Sequence, residues 1–293
     1  MPELPEIEAY IAALEPRVVG QPLSGVRVAS FSLLKTYDPP VATVLGKRVE
    51  SLARIGKRIV LNLEDGFHLV IHLMVAGRLH WHPPGKAIPK KYGLAAFDFP
   101  DGTLLFTEAG TKRRASLHLV VGDAALTDLD PGGIEIATAG FEDFKQALLA
   151  ERHTLKRALS DARFISGIGG AFADEILHAA RLSPLQMNTN LTDAEIENLH
   201  RASQDVMRRW TEIRIAETGD GFPTKVTAFH DEMAVHGKYG EPCPVCDSPV
   251  QRIVYSSRET NYCATCQTEG RILADRSLSR LLKDDWPATI EEL

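Results

Sequence analysis

The sequence predicts an α+β multidomain protein, and three observations carry that reading. Short runs of β-type residues occupy residues 26–121, a helical period takes over from Phe141, and all four cysteines stand late as two Cys-x-x-Cys pairs. A length of 293 residues leaves room for about two domains, each with its own core. With 44% apolar and 25% charged residues the composition is that of an ordinary globular protein, which excludes a disordered or fibrous chain. The longest apolar run, near Leu69–Ala76, is broken by His72 and falls far short of the roughly 20 residues a membrane span needs. Residues 1–30 carry acids from Glu3 onward and lack a basic segment before an apolar one, so no secretory signal is expected. The expected compartment is therefore cytoplasmic.

Taken in order, Ile7–Leu14 predicts a short amphipathic helix with Ile7, Ile11 and Leu14 on one face. Seven strand-like runs follow: VRVASFSL, KRVESLARI, KRIVLNL, FHLVIHLM, AAFDF, TLLFT and SLHLVV. Turn signals at Glu64-Asp65-Gly66 and Pro100-Asp101-Gly102 separate some of them, a spacing that predicts a sandwich or barrel. Asp130-Pro131-Gly132-Gly133 ends this region as a linker. Helices are then expected at Phe141–Leu149, Leu155–Asp161, Ala171–Ala180 and Asp193–Thr211, the last opened by Thr192 as N-cap. Beyond about Ala228 the pattern is irregular up to the cysteines. The tail after Gln267 is expected to be a frayed end, partly helical at Ser277–Lys283, and the chain shows no internal repeat.

Charge is unevenly distributed. Residues 1–130 hold 15 basic and 14 acidic side chains, 131–240 hold 12 and 16, and 241–293 hold 6 and 9. The net charge of −6 argues weakly against a polyanionic partner, but Lys47, Arg48, Arg54, Lys57 and Arg58 form a locally positive stretch broken only by Glu50. Local fields of this kind steer nucleic acids more than the net count does, although a solvated charged face has the same composition.

The pairs Cys243/Cys246 and Cys263/Cys266 are separated by 16 residues, the spacing of a structural zinc site. Each two-residue spacer lets a pair form one knuckle of a tetrahedron, and four thiolates leave no open position for catalysis. Disulfides fit poorly with an intracellular chain whose only cysteines form two such knuckles.

Two further segments can carry chemistry. Ser166–Gly170 leads glycines into a helix, where backbone N–H groups can approach a phosphate, though such turns also serve packing. The helix before it bears Lys156 and Arg157. At the start, Met1-Pro2-Glu3-Leu4-Pro5-Glu6 places a small residue after the initiator, so removal of Met1 is expected. That leaves a secondary amine on Pro2 beside a carboxylate; an α-amine with pKa near 7.7–8.0 is partly a free nucleophile at neutral pH. On chemistry alone the simpler reading prevails, that Pro2 and Pro5 merely stiffen an exposed end.

The opening MPELPEIE, Gly167-Ile-Gly169 leading into AFADEIL, and Val235-His-Gly-Lys-Tyr-Gly-Glu-Pro-Cys243 with the four cysteines occur in this order. Together they resemble the formamidopyrimidine-DNA glycosylase / endonuclease VIII family over roughly residues 1–267. The resemblance implies an N-terminal β-sandwich with flanking helices, a helix–two-turn–helix domain and a C-terminal zinc-finger β-hairpin. The implied boundaries are 1–130 for the sandwich, 131–145 for a linker, 146–238 for the helical domain, 239–267 for the zinc finger and 268–293 for an extension.

The same resemblance implies a bifunctional DNA glycosylase and abasic-site lyase. Pro2 matches the nucleophile that attacks C1′ of an extruded nucleotide, and Glu3 the acid–base carboxylate that helps open the sugar ring. Glu6 matches the second carboxylate of the opening motif, Lys57 a hairpin lysine at the phosphate, and Arg258 the zinc-finger arginine that grips phosphates around the lesion. Lys156, Gly169 and Gly170 match the phosphate-gripping helical module. Damaged duplex DNA is the expected partner, one structural zinc ion the expected cofactor, and a monomer the expected state, near the nucleoid and away from membranes. If Met1 is retained, Pro2 is acylated and cannot be the nucleophile.

The chain also departs from the family pattern. Gly170 stands where an asparagine commonly helps hold a phosphate, and Val75 where a methionine fills the space of the flipped base. The Arg-Arg-Phe wedge is replaced by Glu108-Ala-Gly-Thr-Lys-Arg113-Arg114-Ala, leaving Arg113 or Arg114 to enter the duplex without an aromatic partner. The segment 217–231 is short against members that fold a loop over 8-oxoguanine. Abasic sites and damaged pyrimidines are thus expected to be preferred over stacked 8-oxoguanine, with modest affinity and a shallow salt dependence. The departures also support a second reading, a lesion-binding member without base excision.

Overall fold

The computed structural model describes residues 1–293 apart from Thr111, Lys225, Ala228, Ser256, Ser257, Arg276, Ser277, 283–285 and Leu293. The chain divides into two units: Met1–Pro131 with Trp210–Thr227, and Gly132–Arg209 with Ala228–Leu293.

In the first unit, helix α1 (Leu4–Val18) precedes strands β1 (Gly25–Val28), β2 (Val49–Ile55), β3 (Arg58–Leu63), β4 (Phe67–His72), β5 (Gly77–His82), β6 (Gly93–Phe99), β7 (Gly102–Glu108) and β8 (Ser116–Val121). A short helix α2 (Asp123–Thr127) follows. The strands form two antiparallel four-stranded sheets, ordered β1-β6-β7-β5 and β2-β3-β4-β8. Alternation puts Ile59, Leu61, Leu69, Ile71, Leu117 and Leu119 of one sheet into the same core as Leu79, Phe97, Leu104 and Phe106 of the other. Ile7, Tyr10, Leu14 and Val18 of α1 join that core, so the expected helical face is real and one turn longer at each end.

Strand β5 was not legible beforehand, because only Leu79 and Trp81 in it are apolar; it forms because β7 pairs with its whole length. A Cβ on Gly77, at its start, would lie 2.2 Å from the Leu73 carbonyl oxygen, so the tight turn from β4 requires glycine. The run VRVASFSL is strand only to Val28; Phe31–Leu33 turns as a 3₁₀ helix with Phe31 exposed.

The second unit contains α3 (Phe141–Leu149), α4 (Leu155–Leu159), α5 (Gly170–Ala179), most of α6 (Asp193–Thr218), the hairpin β9 (Gln251–Tyr255) and β10 (Arg258–Tyr262), α7 (Ala264–Thr268) and α8 (Leu278–Leu282). Helix α3 thus begins inside the segment read as linker, and α6 runs past Thr211 to Thr218. Thr192 opens α6 as expected: its N–H donates to Glu195 Oε2 at 2.7 Å, and its Oγ1 accepts the Glu195 N–H at 3.3 Å. Among the described residues no helix is long and apolar enough to cross a membrane.

The tail departs from the frayed end expected of it. Arg271 pairs with Thr289, and Leu273, Trp286 and Ile290 pack with Ile272 onto Ile253, Tyr262 and Ala264. The hairpin and Ala264 offer an apolar face, and these tail residues remove it from water. Of the expected helix Ser277–Lys283, the part Leu278–Leu282 forms and the two ends lie outside the described residues.

Candidate active site and zinc centre

The start of α1 collects acidic groups where a helix favours them. Pro5 sits in the first turn, where a missing N–H costs nothing, and Glu6 in that turn complements the helix dipole. The Glu6 carboxylate accepts the Glu3 N–H at 2.8 Å, and both residues are buried along with Pro2. Burial pushes the Glu6 carboxyl up to about 7, with the Glu3 charge adding to the rise, while the Glu3 N–H and Arg214 oppose it. Arg214 is buried as well, its Nε 3.3 Å from Glu6 Oε1, and it donates to the Thr227 carbonyl at 2.6 Å.

This arrangement has a measurable consequence. A carboxyl whose folded pKa is raised keeps its proton while the unfolded chain loses it, so stability falls as pH rises from about 4.3 through 7. Arg214→Met removes the opposing charge, lifts Glu6 further, and extends that fall to higher pH. The variant is expected to lose about 3 kcal/mol at pH 8.5 and clearly less at pH 6, where Glu6 is neutral. Denaturant unfolding at the two pH values checks this; equal losses at both would refute it.

Lys57 lies on the two-residue turn between β2 and β3, where Gly56 adopts φ +57° and Ile55 pairs with Arg58. Arg54 ties the turn to α1, donating to Glu8 at 2.6 Å and to the Gly56 carbonyl at 2.8 Å. Burial pushes the Lys57 ammonium below its ordinary pKa, and Glu3 and then Glu6 pull it back. The terminal amine of Met1 is also lowered, first by burial; Glu3 opposes this, Arg78 reinforces it, Glu6 opposes it and Lys57 reinforces it. The amino terminus, two carboxylates and two cations therefore share one electrostatic neighbourhood within the first unit.

Two loops of this unit carry the residues expected near the flipped base. Val75 is 58% exposed in the turn between β4 and β5. Arg113 is exposed and donates to the Lys91 carbonyl at 2.6 Å, and the neighbouring backbone is held by buried Glu108, whose carboxylate accepts the N–H groups of Arg114 and Ala115 at 3.0 and 3.2 Å.

In the second unit, Gly169 is the N-cap of α5 and Gly170 its first residue, with open space where a Gly170 side chain would go. Lys156 is engaged inside the protein: its Nζ lies 2.7 Å from Asp174 Oδ1 and donates to the Glu259 carbonyl at 2.6 Å. Asp174 is fully buried and needs that counter-charge; its other oxygen faces His236 Nδ1 at 2.9 Å and accepts the Asn261 N–H at 3.2 Å. Glu175, also buried, accepts the N–H groups of Ala234, Val235 and His236 at 2.8–2.9 Å. An adjacent Asp-Glu pair inside an apolar helix was the available signal for these anchors. Arg258 is exposed at the start of β10.

The four cysteines are free thiols whose Sγ atoms lie within 4.8 Å of one another, with close pairs at 3.9, 3.4 and 3.5 Å. Zinc–sulfur bonds of about 2.3 Å in a tetrahedron put sulfurs about 3.8 Å apart, so the set fits one zinc ion. His178 of α5 sets Nε2 3.3 Å from Cys243 Sγ, a contact that sequence reasoning missed and that would brace Cys243 as a zinc ligand. His178→Ala is expected to weaken zinc binding about tenfold or more, measured by competition with a chromogenic chelator; an unchanged zinc affinity would sink that role.

A two-sheet unit with buried carboxylates at its amino terminus, and a helical unit bearing a four-cysteine ribbon, define a multidomain zinc-ribbon protein. Three family models match in sequence order: the formamidopyrimidine-DNA glycosylase N-terminal domain at residues 1–114, its H2TH domain at 134–219, and the zinc finger found in FPG and IleRS at 240–268. Proteins named formamidopyrimidine-DNA glycosylase from Thermus thermophilus and Pelotomaculum thermopropionicum are 33% and 31% identical, covering 92% and 91% of this chain and 100% and 99% of their own. The chain belongs to the formamidopyrimidine-DNA glycosylase family. A Lactococcus lactis FPG mutant in complex with a Fapy-dG containing DNA superposes with a TM-score of 0.81 at 25% identity, covering 91% of this chain and all of that one. MutM in complex with carbocyclic 8-oxo-G containing DNA gives 0.79 at 25% identity with the same coverage. The N-terminal sandwich, helical module and zinc-finger hairpin expected from the sequence are the architecture observed, and the four cysteines are its zinc site.

Proposed function

We propose that this protein is a DNA repair glycosylase with abasic-site lyase activity, acting as a monomer on damaged duplex DNA in the nucleoid. The observation that carries the reading is the shared neighbourhood of the amino terminus with Glu3, Glu6 and Lys57. Once Met1 is removed, the Pro2 nitrogen attacks C1′ of the extruded nucleotide, and the glycosidic pair leaves with the base. Glu3 takes the proton that the Pro2 nitrogen sheds on bonding to C1′ and passes it to the ring oxygen as the sugar opens to an iminium, while the departing base takes its proton from water. Loss of a proton from C2′ then expels the 3′ phosphate and nicks the strand. Lys57 holds a phosphate beside these groups, and Glu6 with Arg214 fixes Glu3.

On the helical side, the α5 N-terminus at Gly169 and Gly170, with Arg258, grips backbone phosphates. Lys156 serves this grip by bracing β10 through the Glu259 carbonyl. Because Gly170 leaves open space, Gly170→Asn is accommodated and supplies a donor. The variant is expected to bind abasic duplex a fewfold more tightly in filter binding; weaker or equal binding would count against a phosphate at this end of α5.

Exposed Val75 and an Arg113 loop without an aromatic partner make a small wedge, which favours abasic sites and damaged pyrimidines. The test is a set of duplexes with one lesion each, scored separately for base release and for nicking. Efficient 8-oxoguanine excision opposite cytosine would overturn the substrate preference. Tight lesion binding without base release or nicking would favour the second reading, a lesion-binding member, to which Val75 and Gly170 lend support.

A further inference from the structure

We propose that the extension 269–293 is a buttress for the zinc-finger hairpin, and that Asp275 is the positioning residue through which it holds strand β9. In a two-stranded antiparallel ribbon, alternate residue pairs direct their N–H and C=O groups outward, where nothing in the ribbon satisfies them. Here other parts of the second unit meet outward groups on each edge. Along β10, the Glu259 carbonyl accepts from Lys156 Nζ at 2.6 Å and the Asn261 N–H donates to Asp174 at 3.2 Å. Along β9, the Val254 N–H, opposite Glu259, donates to Asp275 Oδ2 at 2.8 Å.

The matched zinc-finger residues end at 268, so the helical module braces one edge with family-matched residues while the other is braced by chain beyond that match. Asp275 is 3% exposed, and described tail residues on either side of it are tied to the hairpin and to one another. The Leu273 N–H donates to Tyr262 Oη at 2.7 Å, the Ile272 N–H to the Ala288 carbonyl at 2.8 Å, and the Ile290 N–H to the Gly270 carbonyl at 2.8 Å. Ile253 of β9 and Tyr262 of β10 are buried under Ile272, Leu273, Trp286 and Ile290. A hairpin held on both edges presents Arg258 with less conformational freedom to lose on binding.

The functional half of this inference rests on the reading of Arg258 as a DNA contact, so the experiment separates the two. Full-length protein carrying Asp275→Ala or Asp275→Asn is compared with the parent for zinc content, amide hydrogen exchange at Val254, and affinity for an abasic duplex. Zinc content is expected to stay at one ion. Exchange at Val254 should accelerate at least tenfold in Asp275→Ala, with affinity about fivefold weaker, and Asp275→Asn, which retains an acceptor, should recover part of both. The same affinity loss should shrink when Arg258→Ala is already present. Unchanged Val254 exchange in folded, zinc-loaded Asp275→Ala overturns the buttress. Faster exchange with unchanged affinity, where Arg258→Ala alone weakens binding, overturns the positioning role. If Arg258→Ala itself leaves affinity intact, the DNA reading of the hairpin fails while the exchange result still decides the buttress.

Discussion

Protein whose Met1 has been removed, as verified by intact mass, is expected to give a borohydride-trapped adduct with abasic duplex DNA, and protein carrying an uncleaved residue before Pro2 is expected to give none. Acylation turns the Pro2 nitrogen into an amide without a usable lone pair, so base release and nicking should fall together by about three orders of magnitude or more. With Met1 in place, the terminal amine one residue ahead of Pro2 is pushed below its ordinary pKa, first by burial, with Glu3 opposing. The rate is expected to rise with pH as the Pro2 amine loses its proton and then to level off. Glu3→Gln should retain DNA binding while losing about 10²–10⁴ in base release, because only proton transfer is removed. Trapping by the blocked protein, or full activity from it, would refute the amine mechanism.

Zinc removal is expected to have the second largest effect. Four thiols with sulfurs within 4.8 Å of one another repel when ionised, and a cation at their centre offsets that repulsion. Zinc binding to a ribbon of this kind is worth about 10–16 kcal/mol in isolated finger peptides, so its loss unravels residues 240–268 and the hairpin with them. The first unit has its own core and should keep its sheet signal in circular dichroism. Affinity for an abasic duplex should drop at least a hundredfold on chelation and return with added zinc. Cys246→Ser should reproduce the loss without recovery. Stripped protein that binds duplex like the parent would show that the ribbon takes no part in DNA binding.

Sequence alone determined those features whose geometry is set over a few residues. The Cys-x-x-Cys pairs, the Thr192 N-cap and the Ile7, Ile11 and Leu14 face of α1 each need only local spacing. The structure confirms all of them at the positions expected. Tertiary structure decided which polar groups are buried together. Glu6 and Arg214 meet across 208 residues, Asp174 gathers Lys156, His236 and Asn261, and Glu175 holds three successive N–H groups from another loop. Strand β5 exists because β7 accepts it, and Ile272, Leu273, Trp286 and Ile290 of the tail are packed because the hairpin gives them an apolar face to cover. Propensity and spacing act between near neighbours, whereas the cost of burying a charge or an unpaired N–H depends on what the rest of the chain packs over it.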